Sequence, residues 1–510
     1  MQPLQHLTWI LSKNFMPSDL ERLLSKHFTV QLGSIKKSNR IWYDTFDWRL
    51  FRKKQRLTRE GNTWLFEDFH GRQLAALKSQ KKSYRFSWQF PDSPLRQSLK
   101  KPLDVRGILQ IAAEELESYS LQIFNNDTKI IALLNIQQST NRKNEKQIAI
   151  VHLEEVRGYN KWFRRVSRVL DNSGAIKLKS LADLFPFVLE GTNREPLDYN
   201  SRYAVPLRPE MTSLEAVQQI HSFLLTSIYQ NEEGIISDFD SEFLHDLRVA
   251  VRRTRSALSL LKGVLATDET DRFKEDFRFI GQITGPVRDL DVYLLNKNSH
   301  MDSVPERLQQ GLSYFFENLT KRRKEEQRKL VRTLRSNRYQ QILTDWSQLL
   351  DKENTLPAGE KGDLPIGVLA GKIIHKRFRR IIKDGSKIHT GTPDHELHRL
   401  RIQCKKLRYS LEFFATLYEQ RQMKQFIQQL KLLQNNLGDF NDLSVQQEML
   451  ADYLSKIKPG SRKSQELAAS IGGLMTVLAT QHDWVRAHFE KTFTHFCCPK
   501  NMKLYREIFD

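Results

Sequence analysis

The order of apolar and polar positions divides the chain into two stretches with different periods. Up to residue 200 the apolar positions come in short runs: LTWIL (7–11), NRIWYDT (39–45), NTWLFEDF (62–69), SYRFSWQF (83–90), TKIIALLNIQ (128–137) and KQIAIVHLEEV (146–156). These runs are aromatic or β-branched, and Gly61, Gly71 and Pro91 punctuate them, which predicts β-strands. Two segments switch to helical spacing: PSDLERLLSKHF (17–28), with Ser18 or Asp19 as its cap, and residues 161–170. The pattern predicts an α+β domain with an antiparallel sheet, over residues 1–205. From residue 210 onward apolar residues recur at intervals of three and four, as in SLEAVQQIHSFLLTSIY (213–229) and QQLKLLQNNL (428–437). PAGEKGDLP (357–365) interrupts them as a linker. This second stretch, 210–510, is expected to be all-α in two packed lobes, about 210–350 and 365–510.

The helical stretch repeats itself. LHDLRVAVRRTRSAL (244–258) aligns with LHRLRIQCKKLRYSL (397–411) at an offset of 153, and the same offset pairs GPVRDLDV (285–292) with GDFNDLSV (438–445) without a gap. His245 thus meets His398, Arg248 meets Arg401, Arg252 and Arg253 meet Lys405 and Lys406, Arg255 meets Arg408, and Asp289 meets Asp442. Two ungapped blocks at one offset identify a duplicated helical module.

Helix geometry turns the motif into a surface. At 100° per residue, positions 245, 248, 252 and 255 fall within about 80° of one another and form a stripe roughly 15 Å long. Leu244, Leu247, Val251 and Leu258 occupy the adjoining arc and supply the core face. The second copy sets His398, Arg401, Lys405 and Arg408 beside Leu397, Leu400, Cys404 and Leu411, with Arg253 and Lys406 off to one side of their stripes. Asp246 is the only acid between residues 243 and 267, so the first stripe has few neutralising neighbours. Such a stripe is expected to bind a phosphate-type anion, which relieves the repulsion among its cations. Metal sites want converging ligands, commonly at i and i+4. His245 and His398 have arginine at i+3 instead, so a hydrogen bond to an anion or a helix end is expected of them and no metal. Asp289 and Asp442 are expected to cap a helix or orient an arginine, and no catalytic residue is assigned.

Composition and charge sharpen this. The 510 residues are 39% apolar and 28% charged, enough to bury sizeable cores and to exclude global disorder. Lysine and arginine total 81 against 60 acids, a net charge of +21, which concentrates anions near the surface. Residues 1–209 hold 35 of the basic and 21 of the acidic residues, so the helical stretch is only mildly basic and any anion site there depends on arrangement. Three cysteines, Cys404, Cys497 and Cys498, provide no disulfide framework and suit a reducing cytoplasm. The N-terminus lacks the basic start of a signal peptide, and no apolar window reaches 18 residues, so no membrane insertion is expected. No motif bears on oligomeric state.

The duplicated H-x-x-R-x-x-x-R-R-x-R motif with a downstream G-x-x-R-D-L-D-V resembles the CHAD family, the conserved histidine α-helical domain, over about residues 210–510. The resemblance implies two four-helix bundles related by a pseudo-twofold axis. It also implies binding of inorganic polyphosphate through basic side chains facing a central groove: here His245, Arg248, Arg252, Arg253, Arg255, His398, Arg401, Lys405, Lys406 and Arg408. HKRFRRIIK (375–383) is expected to add His375, Arg379 and Lys383, which share a face, whereas KRRKEEQRK (321–329), with interleaved acids, reads as a solvated helix.

CHAD domains often follow a CYTH domain, the triphosphate-tunnel fold. WYDTFDWRL (42–50) resembles that family's Y-D-T-x-D…L segment, and LTRE (57–60) resembles its basic strand. The resemblance implies an antiparallel tunnel-like sheet, with E-x-E-x-K on the first strand holding a divalent cation over phosphates. Residues 1–18 contain no carboxylate, and neither do residues 69–91; Glu154 and Glu155 on the last strand make a poor metal site alone. Arg49, Arg52, Lys53, Lys54, Arg56 and Arg59 supply positive charge instead. The expectation is a degenerate tunnel that still binds anions without hydrolysing them, needing no cofactor; Mg²⁺ enters only if that domain is active. The leading function is a cytoplasmic polyphosphate binder, associated with polyphosphate granules. The alternatives are an Mg²⁺-dependent inorganic triphosphatase and a non-specific nucleic-acid binder. The second is disfavoured because Tyr409 is the only aromatic within either motif, and base stacking needs aromatics beside the cations.

Overall fold

The structure is a computed structural model, and it describes residues 6–11, 17–81, 83–201, 203–351 and 356–509. The chain divides into two compact units, Met1–Ser201 and Arg202–Asp510.

The first unit is built on a ten-stranded antiparallel sheet: β1 (His6–Leu11), β2 (Thr29–Leu32), β3 (Lys36–Thr45), β4 (Gln55–Glu60), β5 (Thr63–Asp68), β6 (Gln73–Lys78), β7 (Ile108–Phe124), β8 (Ile130–Asn141), β9 (Gln147–Glu155) and β10 (Ile176–Lys177). Their order is β10-β1-β9-β8-β7-β3-β4-β5-β6, with β2 paired to β7. Inward positions of β1, β7, β8 and β9, among them Trp9, Leu121, Leu134 and Leu153, pack with Leu20 and Leu24 of α1 (Pro17–Ser25) and Phe163 and Leu170 of a helix over Asn160–Asp171.

Two expectations need correction, and one strand, β7, has no counterpart among the predicted runs. Residues 83–90 form no strand. Gln89 folds back through Oε1 to accept from the backbone N–H of Arg85 at 2.8 Å, and Tyr84 and Phe90 stack at 4.2 Å to cover Trp64. The aromatics act as a lid on a core, which a strand-like composition alone does not distinguish. Ser18 and Asp19 lie inside the first turn of α1 and do not precede it. The longest strand, β7, carries no clean alternation because Glu114, Glu115 and Glu117 interrupt it.

The second unit is all-helical among its described elements. Its first lobe comprises α2 (Ser213–Ile236), α3 (Ser241–Leu260), α4 (Thr267–Ile283), α5 (Gly285–Leu295), α6 (Glu306–Leu334) and α7 (Asn337–Leu349), with a short helix over Lys297–Asp302. The second comprises α8 (Ile366–Gly385), α9 (Asp394–Phe413), α10 (Gln420–Ser455), α11 (Arg462–Ala487) and two closing helices over Phe489–Phe496 and Pro499–Phe509. Helix starts Ser213, Ser241 and Thr267 recur 153 residues on as Ile366, Asp394 and Gln420, and the ends Leu260 and Leu334 recur as Phe413 and Ala487. The duplication therefore extends over whole helices.

Backbone contacts locate the axis that relates the copies. The N–H of Ser213 donates to the Leu364 carbonyl at 2.8 Å, and that of Ile366 donates to the Met211 carbonyl at the same distance. Adding 153 to one pair gives the other. Residues Thr212 and Pro365, also 153 apart, face each other in an antiparallel bridge. Elsewhere the Tyr293 hydroxyl donates to the carbonyl of its own equivalent, Gln446, at 3.0 Å. A residue touches its own copy only beside a twofold axis, so the two contacts define a pseudo-twofold. The linker 357–365 thus holds part of this seam. Gly311 lets α6 approach α11, since a Cβ there would lie 2.3 Å from the Glu466 carbonyl oxygen. No helix among the described residues is long and apolar enough to cross a membrane.

Candidate functional site

The motif helices α3 and α9 are equivalents and pack against each other. Asp240 caps α3 through its carboxylate, accepting from the N–H of Glu242 at 2.9 Å. Leu244, Leu247, Val251 and Leu258 are buried on α3, as are Leu397, Leu400, Cys404 and Leu411 on α9. That burial fixes the rotation of each helix and leaves its stripe at the margin of the packed face.

Arg252 is exposed on α3, and its charge reaches Arg401 and Lys405 on α9. The stripes of the two repeats therefore act on one another electrostatically across the packed helices. Burial lowers the proton affinity of Lys405, and Arg401, Arg252 and Arg408 lower it further, so its ammonium sits at about 8. Burial likewise lowers Arg401, with Asp442 opposing and Arg252 reinforcing. Among the described residues Arg252, Arg255 and Lys405 take part in no ion pair.

Other stripe members are engaged. Arg248 donates to the Gly281 carbonyl and to Thr284 Oγ1, both at 2.9 Å. This satisfies a carbonyl at the end of α4, where Gly285 and Pro286 begin a new helix. Arg401 meets Asp442 in an ion pair of 3.4 Å whose carboxylate side chain is 65% exposed. Arg408 donates to Glu412 Oε1 at 2.6 Å and Arg253 donates to Glu412 Oε2 at 2.8 Å. His398 shares a hydrogen bond of 3.1 Å with Asn441, and His245 is half-buried on α3. Asp289 is held above the ordinary carboxylate range by burial, against the pull of Arg248 and Arg288.

The remaining expected residues separate. Lys406 faces α8, where burial and then Arg377 and Arg380 lower its proton affinity. His375 shares a 2.8 Å hydrogen bond with the Tyr505 hydroxyl, and Arg379 and Lys383 are exposed on α8. Sequence reasoning missed Arg377, Arg380 and Glu412. The i,i+4 spacing of Arg408 and Glu412 was the visible signal for the last.

In the sheet unit Lys53 and Lys54 are exposed, whereas the arginines Arg40, Arg49, Arg52 and Arg56 are taken up by carboxylates and carbonyls. Arg40 and Glu114 are 8% and 2% exposed. Glu114 accepts from Arg40 at 3.3 Å, from Trp42 Nε1 at 2.9 Å and from Ser139. Arg40 also reaches Glu60 at 3.3 Å, and Arg56 pairs with Glu67 at 2.8 Å. Arg49 and Arg52 bond to the Leu103 and Tyr199 carbonyls. Each of these three glutamates is engaged by an arginine, so this donor set does not fit a divalent cation.

Residues 219–451 match the family described as CHAD domain. Two curated relatives from Mycobacterium tuberculosis strains, both named only as uncharacterized proteins, are 24% identical over 213 residues, 41% of this chain. The matched stretch spans 39% of those relatives' own length. Among solved structures, the CHAD domain from the plant Ricinus communis is 25% identical, covering 57% of this chain and 96% of that one, with a TM-score of 0.47. PptA from Streptomyces chartreusis is 13% identical over 56% of this chain and 100% of its own, TM-score 0.44. A putative adenylate cyclase from Bacillus halodurans is 15% identical over 33% of this chain and 88% of its own, TM-score 0.25.

Proposed function

With residues 219–451 forming a CHAD domain, we propose that the chain binds inorganic polyphosphate along the joined basic faces of α3 and α9. The observation that carries this reading is the packing of α3 on α9, which brings the charge of Arg252 to bear on Arg401 and Lys405 across the repeat boundary. Three cations from two repeats repel one another, and that repulsion adds to burial in holding Lys405 below its ordinary proton affinity. A chain of phosphates relieves that repulsion along its length, through charge-assisted hydrogen bonds and the release of counterions. Arg252, Arg255 and Lys405 make the primary contacts, and Arg401 exchanges Asp442 for phosphate. His245 and His398 supply hydrogen bonds, Arg248 adds charge from its fixed place, and Lys406, with Arg377 and Arg380, extends the basic surface.

The sheet unit enters this proposal as a non-catalytic partner domain, because its inward glutamates Glu67 and Glu114 are committed to arginine and the buried Asp44 to the backbone N–H groups of Thr45, Leu50 and Phe51. Three free cysteines fit a cytoplasmic protein, associated with polyphosphate granules. The test is competition on the full chain among long polyphosphate, triphosphate, ATP and single-stranded DNA, with phosphate release followed in Mg²⁺. Preferential displacement by long polyphosphate without turnover is expected. Preference for single-stranded DNA, or robust Mg²⁺-dependent release from triphosphate, overturns the reading.

A further inference from the structure

Among the described residues Glu412 is the one carboxylate that holds a motif arginine from each repeat. Its Oε1 takes Arg408 of α9 at 2.6 Å, and its Oε2 takes Arg253 of α3 at 2.8 Å. Its side chain is 15% exposed and that of Arg253 13%, so solvent screens this contact only partly. Arg408 in turn lies close enough to Lys405 to lower its proton affinity. Glu412 therefore sits at one end of the cationic track. The repeats differ at this point: the equivalent of Glu412 in the first copy is Ser259, 153 residues earlier, and its hydroxyl merely bonds the Arg255 carbonyl at 2.9 Å. Arg255, the equivalent of Arg408, is exposed without an ion pair among the described residues.

We propose that Glu412 is an internal counterion of the anion site, occupying two guanidinium groups in the ligand-free protein and making the two ends of the track unequal. The proposal rests on the polyphosphate reading above. The incoming polyanion meets Arg252, Arg255 and Lys405 without a competitor, whereas Arg408 and Arg253 exchange carboxylate for phosphate only in part. Glu412 thus lowers affinity and sets the order of contact from the Arg255 end.

Two variants of the full chain test this, each titrated with long-chain polyphosphate over a range of salt concentrations. Glu412→Gln keeps the shape and one acceptor oxygen while removing the charge. It is expected to bind roughly three- to tenfold tighter, with a log-log salt slope steeper by about one to two phosphate contacts. Ser259→Glu places the same i,i+4 carboxylate beside Arg255 at an exposed position where folding is not at stake. It is expected to bind several-fold more weakly with a shallower slope. Weaker binding by Glu412→Gln would show that Glu412 positions the arginines, and unchanged binding would show that they lie off the track; either result, or a Ser259→Glu variant indistinguishable from wild type, overturns the proposal alone. Wild type that binds no polyphosphate overturns it together with the reading beneath it.

Discussion

The two motif helices have the same length and register, yet they use the same charges differently. In the first repeat Gly285 and Pro286 break the helix that follows, and Arg248 is fixed on the carbonyl exposed by that break. In the second, position 439 is aspartate, α10 runs unbroken from Gln420 to Ser455, and Arg401 meets the exposed Asp442. One copy anchors its arginine in the fold while the other leaves it exchangeable. Arg252 projects into solvent, whereas its equivalent Lys405 is half-buried and titrates near 8. Duplication preserved where the charges stand, and single residues around them decided which are held by the protein and which are available to a ligand.

The largest expected effect comes from reversing a charge at the junction. Arg252→Glu should lower polyphosphate affinity on the order of 100-fold or more in moderate salt, since it removes one cation and adds a repelling anion. Its thermal midpoint should hardly move because the side chain is exposed. A change under threefold would place Arg252 outside the site.

Stability should separate the repeats next. Arg248→Ala removes two charge-assisted hydrogen bonds at a helix end, to the Gly281 carbonyl and to Thr284 Oγ1, and should cost about 1–3 kcal/mol. Arg401→Ala removes one exposed ion pair and should cost less than about 1 kcal/mol. Chemical denaturation of both variants measures this, and equal costs would erase the proposed division of roles.

A smaller effect concerns pH. Lys405 in the free protein sits at about 8, chiefly through burial. A bound polyanion favours its charged form, so binding takes up a proton, and affinity is greatest below that value and falls as pH rises through it. The expected fall is several-fold between roughly pH 7 and 9.5, and Lys405→Arg should flatten it. The sign for folding is opposite. An unfolded lysine holds its proton to a higher pH than Lys405 does, so this group adds stability as pH rises above about 8.

Much of the helical unit was legible because a repeat reports itself twice: the stripe, its apolar flank and the pairing of His245 with His398 all follow from one offset. The sheet was less legible where its interior is polar. Glu114 faces inward to Arg40, Trp42 and Ser139, so β7 lacks the apolar alternation that marks a half-buried strand. Residues 83–90 erred in the other direction, since their aromatics cap the Trp64 cluster from a turn. At the site, spacing placed the cations but could not say which had partners. That Arg248 bonds a carbonyl, that His375 turns to Tyr505 and that Glu412 takes two arginines depend on helices distant in sequence.

The central claim is that both repeats hold one polyanion, and calorimetric titration of wild type, Arg252→Glu, Lys405→Glu and the double variant tests it most directly. A shared site predicts a single tight event in wild type, strong loss of that same event in each single variant, and a double variant well short of the summed losses. Two independent events in wild type, each abolished by only one of the substitutions, would contradict it.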